Sequence, residues 1–340
     1  MMKEREFRTQ VFKTAAQWGS GLFHGLEVLK DGGCTLPSAP VVSAKIDPLA
    51  GSAFYMALAA DCCGILYILD ASTRQVYKYD PATGVSERIF CPENLDLPGR
   101  MVISRMKLWI VDSARGEIRA CSLVHFQTII SIDLLEEPID IAVNEEGDLF
   151  ALDGKTKLIY RFDKHGSFIC TFGKPYLKNP ASIAVGKDDL LYAADKGAGK
   201  IIRFSKDGDY AGGGDFGSAV TPVMITGDVK GGGFLVTDAG EVYRIGEDGI
   251  LAGKVRFPEG VGPVVWTAAD GCGKLYASSS NGIYVLVSEE TFSAGPGFYY
   301  SKTLDSGTAE NRWHRLVLQA DIPSDTIAKI YSYSSDKETL

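Results

Sequence analysis

Six short apolar runs recur along the chain at a nearly constant interval. They read LYILD from Leu66, LWIVD from Leu108, LFALD from Leu149, LYAAD from Leu191, FLVTD from Phe234 and LYASS from Leu275, beginning 42, 41, 42, 43 and 41 residues apart. A period near 40 residues predicts a repeat architecture rather than a set of unrelated elements. Each run is continuous rather than alternating, which predicts a strand covered on both faces. In four repeats a strand entered through proline precedes it, as in PIDIAV from Pro138 and PASIAV from Pro180, then PVMIT from Pro222 and PVVWT from Pro263. Proline as a strand's first residue costs no ladder hydrogen bond.

A third strand follows in VYKY from Val76, IYRF from Ile159, IIRF from Ile201 and VYRI from Val242, which places Lys78, Arg161, Arg203 and Arg244 at one repeat position. A turn closed by Gly84, Gly166, Gly208 or Gly249 comes next, supplying the positive φ of a hairpin. A fourth, outer strand fits FICTF from Phe168. Four strands in each of six units predict an all-β, six-bladed propeller of antiparallel blades, a ring that protects sheet edges.

The order P-x-x-I-A-V, L-Y-V-x-D, I-x-x-F resembles NHL repeats over residues 44 to 294, most closely from 138 to 208. The resulting organisation is an N-terminal segment 1–43, a propeller 44–294 and a β-rich tail 295–340. The N-terminal segment is expected to supply a strand that closes the ring, with Phe7, Val11 and Phe12 the most suited residues. The tail, with Trp313, His314 and Arg315 as its interaction cluster, resembles the opening of a β-rich module in tail and baseplate-associated proteins of phages and contractile injection machines. Ending at Leu340, that module reads as unfinished, so a longer protein is one expectation.

The 38 glycines are spread along the chain, as expected where many tight turns join short strands. A net charge of −8 argues against a protein that wraps nucleic acid. The basic residues Arg100, Arg105, Lys107, Arg115 and Arg119 read as a solvated blade edge. Charges interrupt the first eight residues and no apolar run reaches bilayer length, so neither a signal peptide nor a membrane span is expected. The expected location is the cytoplasm or a phage-like particle. The seven cysteines lack zinc-like spacing and are read as reduced, with Cys62 and Cys63 adjacent.

Candidate chemistry is sparse. The recurrent Asp70, Asp112, Asp153, Asp195 and Asp238 could ring a cation, but an aspartate ending a strand also accepts from the amides of the following turn, and that structural role is expected. Lactonase-type propellers gather a glutamate, an asparagine and aspartates around a central divalent ion. Here the innermost strands offer Asp140 with Asn144, matched in other blades by Arg100, Ser182, Met224 and Val264, too few carboxylates for a hard cation. His24, His125, His165 and His314 do not recur at one repeat position, as a zinc-dependent lyase would require. The expectation is therefore a non-enzymatic scaffold without catalytic residues, metal or cofactor, whose partners are proteins such as tail or baseplate subunits. Two alternatives stand beside it: an interaction propeller for protein, glycan or RNA, and a metal-dependent lactonase or lyase in the channel.

Overall fold

A computed structural model describes residues 22–24, 27–28, 34–35, 41–49, 55–89, 95–216, 220–228, 232–246, 249–287, 298–300 and 329–331. Among them all regular structure is strand. Six four-stranded antiparallel sheets form the blades of a propeller. Their innermost strands are Tyr55–Ala60, Pro98–Ser104, Pro138–Val143, Pro180–Val185, Pro222–Gly227 and Val264–Ala269, defining blades 1 to 6. The chain divides into two compact units, Pro37–Ala294 and a second made of Met1–Leu36 with Gly295–Leu340. Within the second, Leu22–His24 pairs antiparallel with Phe298–Tyr300.

The second strand of every blade is buried at each of its five repeat positions, for example Leu66–Asp70, Leu149–Asp153 and Leu191–Asp195. Continuous apolar sequence follows from that double burial, because each face meets a neighbouring blade. The core is accordingly divided into six clusters, one per blade interface. Trp109 with Phe162, Phe150 with Phe204, and Leu58 with Tyr276 fill three of these.

Blade 6 holds only three strands from the C-terminal side of the ring. Its outer strand is Val41–Ile46, which pairs antiparallel with Gly282–Val287 and so closes the ring with chain from the N-terminal side. Phe7, Val11 and Phe12, the residues that sequence favours for this role, lie outside the described residues.

The pairing register corrects two alignments made from sequence. Pro222 stands opposite Thr237, as Pro138 stands opposite Asp153, so Thr237 and not Asp238 holds the repeat's aspartate position. Asp238 is the next residue along and is exposed. In blade 6, Val264 pairs with Ser279 and Trp266 with Ser278, so Trp266 rather than Val264 matches Asp140. Each is an offset of one residue: the aspartate of blade 5 stands one place past the position its counterparts hold, and the proline of blade 6 one place before it, while all six innermost strands carry the same register shift near their start.

Candidate functional site

The recurrent aspartates act as clamps on backbone amides. Asp70 accepts from the amides and hydroxyls of Ser72 and Thr73 in its own turn. Asp153 does more, accepting from Lys155 and Thr156 in its own turn and from Glu136 and Glu137 in the loop that enters its blade, at 2.7–3.0 Å. Asp195 repeats this with Ala198, Lys178 and Asn179, and Asp112 takes the amides of Asp96 and Leu97. Burial pushes the Asp153 carboxyl up, but the amides of Thr156, Glu137 and Glu136 outweigh it and hold the group below the ordinary carboxylate value. These carboxylates are already satisfied and do not converge; the described residues hold no group of three His, Cys, Asp or Glu arranged for a metal.

Other residues marked by sequence are likewise engaged. Lys78, Arg161, Arg203 and Arg244 occupy one register, each opposite an aromatic ring of the second strand: Tyr67, Phe150, Tyr192 and Phe234. Arg161 joins Asp148 of its own blade to Asp207 of the next, both at 2.6 Å. Arg105 and Lys107 donate to the Glu145 and Lys164 carbonyls of blade 3. His125 and His165 lie on exposed turns of different blades. Trp313, His314 and Arg315 lie outside the described residues. Cys121 is disulfide-bonded, which corrects the reading of all seven cysteines as reduced, while Cys62, Cys63, Cys170 and Cys272 are free.

What gathers is a set of residues from the innermost strands. The bulge that upsets the register also places Arg100, Asp140 and Ser182 at equivalent sites, and bulges commonly re-aim side chains in this way. Asp140 of blade 3 faces Arg100 of blade 2 at 3.3 Å, both side chains more than nine-tenths buried. The other Asp140 oxygen accepts from the Ser182 hydroxyl at 2.5 Å and the Ile183 amide at 2.8 Å in blade 4. Ser182 Oγ in turn accepts from the Ile225 amide of blade 5 at 3.0 Å. Arg100 Nη2 donates to the Ile225 carbonyl at 3.1 Å, reaching the blade opposite its own in a ring of six. These side chains thus satisfy inner-edge backbone groups that no further strand can pair.

Desolvation raises the Asp140 carboxyl above its ordinary range, with Arg100, Ser182 and two amides opposing the shift. Arg100 Nη1 has no hydrogen-bond partner. The residue borders a cavity of about 160 Å³ whose walls include Ile103, Val143, Val185, Thr226 and Thr267. A guanidinium beside apolar walls offers a directional donor pair to a carbonyl or carboxylate oxygen. It does not suit a divalent ion, because Asp140 is the only carboxylate of this set and is committed to Arg100. Asn144 accepts from the Asp148 amide at 2.8 Å and serves its own turn instead. A shallower groove of about 510 Å³ between blades 5 and 6 includes Glu241 and Lys254, which pair with each other.

The fold defines a six-bladed β-propeller with a polar cluster in its channel. Among solved structures it resembles virginiamycin B lyase from Staphylococcus aureus (TM-score 0.57, 16% identity, 77% of this chain and 89% of that one). It also resembles a gluconolactonase from Xanthomonas campestris (TM-score 0.57, 17% identity, 74% and 96%) and the WD40 propeller domain of Doa1 (TM-score 0.53, 13% identity, 70% and 80%). In all, 1314 solved chains match, so the likeness is to a widely used fold and not by itself to a function. No protein-family model matches the sequence, and no curated protein does. The expectation of a non-enzymatic chain is corrected by these neighbours: propellers of this shape include a lyase and a lactonase. Lack of a catalytic motif in the sequence is therefore no ground for excluding chemistry.

Proposed function

We propose that the channel binds a small molecule through a carbonyl or carboxylate oxygen and acts on it as an enzyme of the lactonase or lyase class. Arg100 carries this reading: a buried guanidinium with an unpartnered Nη1 borders a cavity whose lining is about half apolar. Unpaired buried donors are costly, and a ligand oxygen would satisfy this one. Asp140 and the Ile225 carbonyl hold the guanidinium, so its orientation exists before the ligand arrives. In this role Arg100 polarises the carbonyl of a lactone or holds the carboxylate of an acid, and Asp140 is a positioning residue. The lyase and gluconolactonase neighbours support the same reaction classes.

The test compares wild type with Arg100→Lys and Arg100→Met in hydrolysis of gluconolactone and in opening of the streptogramin quinupristin. Turnover of either compound in the wild type is expected, falling at least about tenfold in both variants, since one lost charge-assisted hydrogen bond is worth about 1.5–3 kcal/mol. Wild-type protein that turns over neither compound and shows no thermal shift with a panel of small carboxylates and lactones would overturn the proposal.

A further inference from the structure

Three of the free thiols lie on two turns that touch at the junction of the first blade with the last. Cys62 and Cys63 lie on the turn after the innermost strand of blade 1, and Cys272 lies on the equivalent turn of blade 6. Both turns are fixed by an aspartate. Asp61 accepts from the Cys63 and Ile65 amides at 2.8 and 3.0 Å, and Asp270 from the Cys272 and Lys274 amides, both at 2.9 Å. The turns touch so closely that a Cβ on Gly271 would lie 2.9 Å from the Cys62 Cα, and one on Gly64 would lie 3.3 Å from an Asp270 carboxylate oxygen. All three cysteines are exposed, and the Cys62 and Cys63 sulfurs are 3.8 Å apart.

We propose that this cluster is a disulfide-forming site, in which Cys272 pairs with Cys62 or Cys63 and links blade 6 covalently to blade 1. Geometry decides between this pairing and a bond within the adjacent pair. Neighbouring Cα atoms are about 3.8 Å apart across a trans peptide, short of the roughly 4.4–6.8 Å that an unstrained disulfide requires. The facing turn provides a partner without that constraint. Whichever of Cys62 and Cys63 remains free then lies beside the bond and can exchange with it. The co-reactant is a small disulfide. A cysteine thiolate attacks it and releases one small thiol; a second cysteine thiolate then attacks the mixed disulfide and releases the other. Two protein thiols are oxidised, one small disulfide is reduced to two thiols, and the two protein protons leave with them.

The carboxylates of Asp61 and Asp270 stand on these turns without a facing cation among their hydrogen bonds. Cys63 is held above the ordinary thiol range, first by its hydrogen bond with Cys62 and then by the charges of Cys62, Asp61 and Cys272. Exchange is therefore expected to accelerate at alkaline pH, where thiolate forms. Such a bond would close the ring on the channel side, where Val41–Ile46 closes it at the outside.

The experiment treats the full chain with oxidised glutathione at alkaline pH, blocks remaining thiols by alkylation, and maps the disulfides by mass spectrometry. A peptide joining Cys272 to Cys62 or Cys63 is expected as the main new product, with a rise in Tm of a few degrees. Cys272→Ser and the double variant Cys62→Ser/Cys63→Ser should each lose both effects. These controls separate the seam from the disulfide of Cys121. A dominant Cys62–Cys63 bond, glutathione adducts alone, no oxidation at these residues, or a Tm rise that survives in Cys272→Ser would overturn the proposal.

Discussion

A single carboxylate can hold two segments of backbone when it ends a strand next to two turns. Asp153, fully buried, accepts from four amides of two segments, whereas Asp238, one residue past the corresponding place, is exposed. Asp153→Ala should therefore cost about 3 kcal/mol in urea unfolding and Asp238→Ala less than about 0.5 kcal/mol. Equal losses would show the register argument to be wrong. The Asp153 carboxyl titrates below its ordinary 3.8, so its stabilisation is complete above that pH. That contribution is lost as pH falls through the lowered value, because the folded state then takes up a proton later than the unfolded chain. In Asp153→Asn this part of the acid limb should disappear from a plot of stability against pH. Blade 6 shows another solution to the same demand, where Ser279 accepts from the Asn281 amide.

Among the elements, the strand Val41–Ile46 has the largest consequence for its length. Without it, Gly282–Val287 becomes a bare edge, open to pairing with other chains. Residues 37–294 expressed alone should melt cooperatively, and residues 47–294 should aggregate or melt without a sharp transition, as read by circular dichroism and light scattering. The register shifts of the innermost strands matter as elements too. An unbulged strand would turn Asp140 to the opposite face, since side chains alternate with a period of two. The contacts to Ser182 and Ile183 would then be lost.

At the scale of the whole molecule, Arg100, Asp140 and Ser182 connect blades 2, 3, 4 and 5 through the channel. Removing one partner of a buried ion pair leaves the other charge uncompensated, at about 3–5 kcal/mol. Arg100→Met and Asp140→Leu should each lose that amount, and the double variant should lose much less than the sum, a coupling that a double-mutant cycle in urea measures. Additive losses would mean that the two charges do not act as a pair.

The six-fold repeat was legible because burial between blades imposes one pattern on each unit: apolar runs such as Leu149–Asp153, prolines at strand starts, glycines in turns. Local sequence by itself determined the blade, and the period determined the ring. Sequence also marked Asp140, Arg100 and Ser182 at matching places of the innermost strands, but not that they touch. Their meeting depends on the curvature of the ring, which brings groups 40 to 125 residues apart within hydrogen-bond distance. The same holds for Cys272 beside Cys62, first and last blades that no local window contains. Propensity and periodicity act over a few residues, whereas the channel and the seam are products of curvature accumulated over six blades, and only the tertiary structure decides which side chains face one another there.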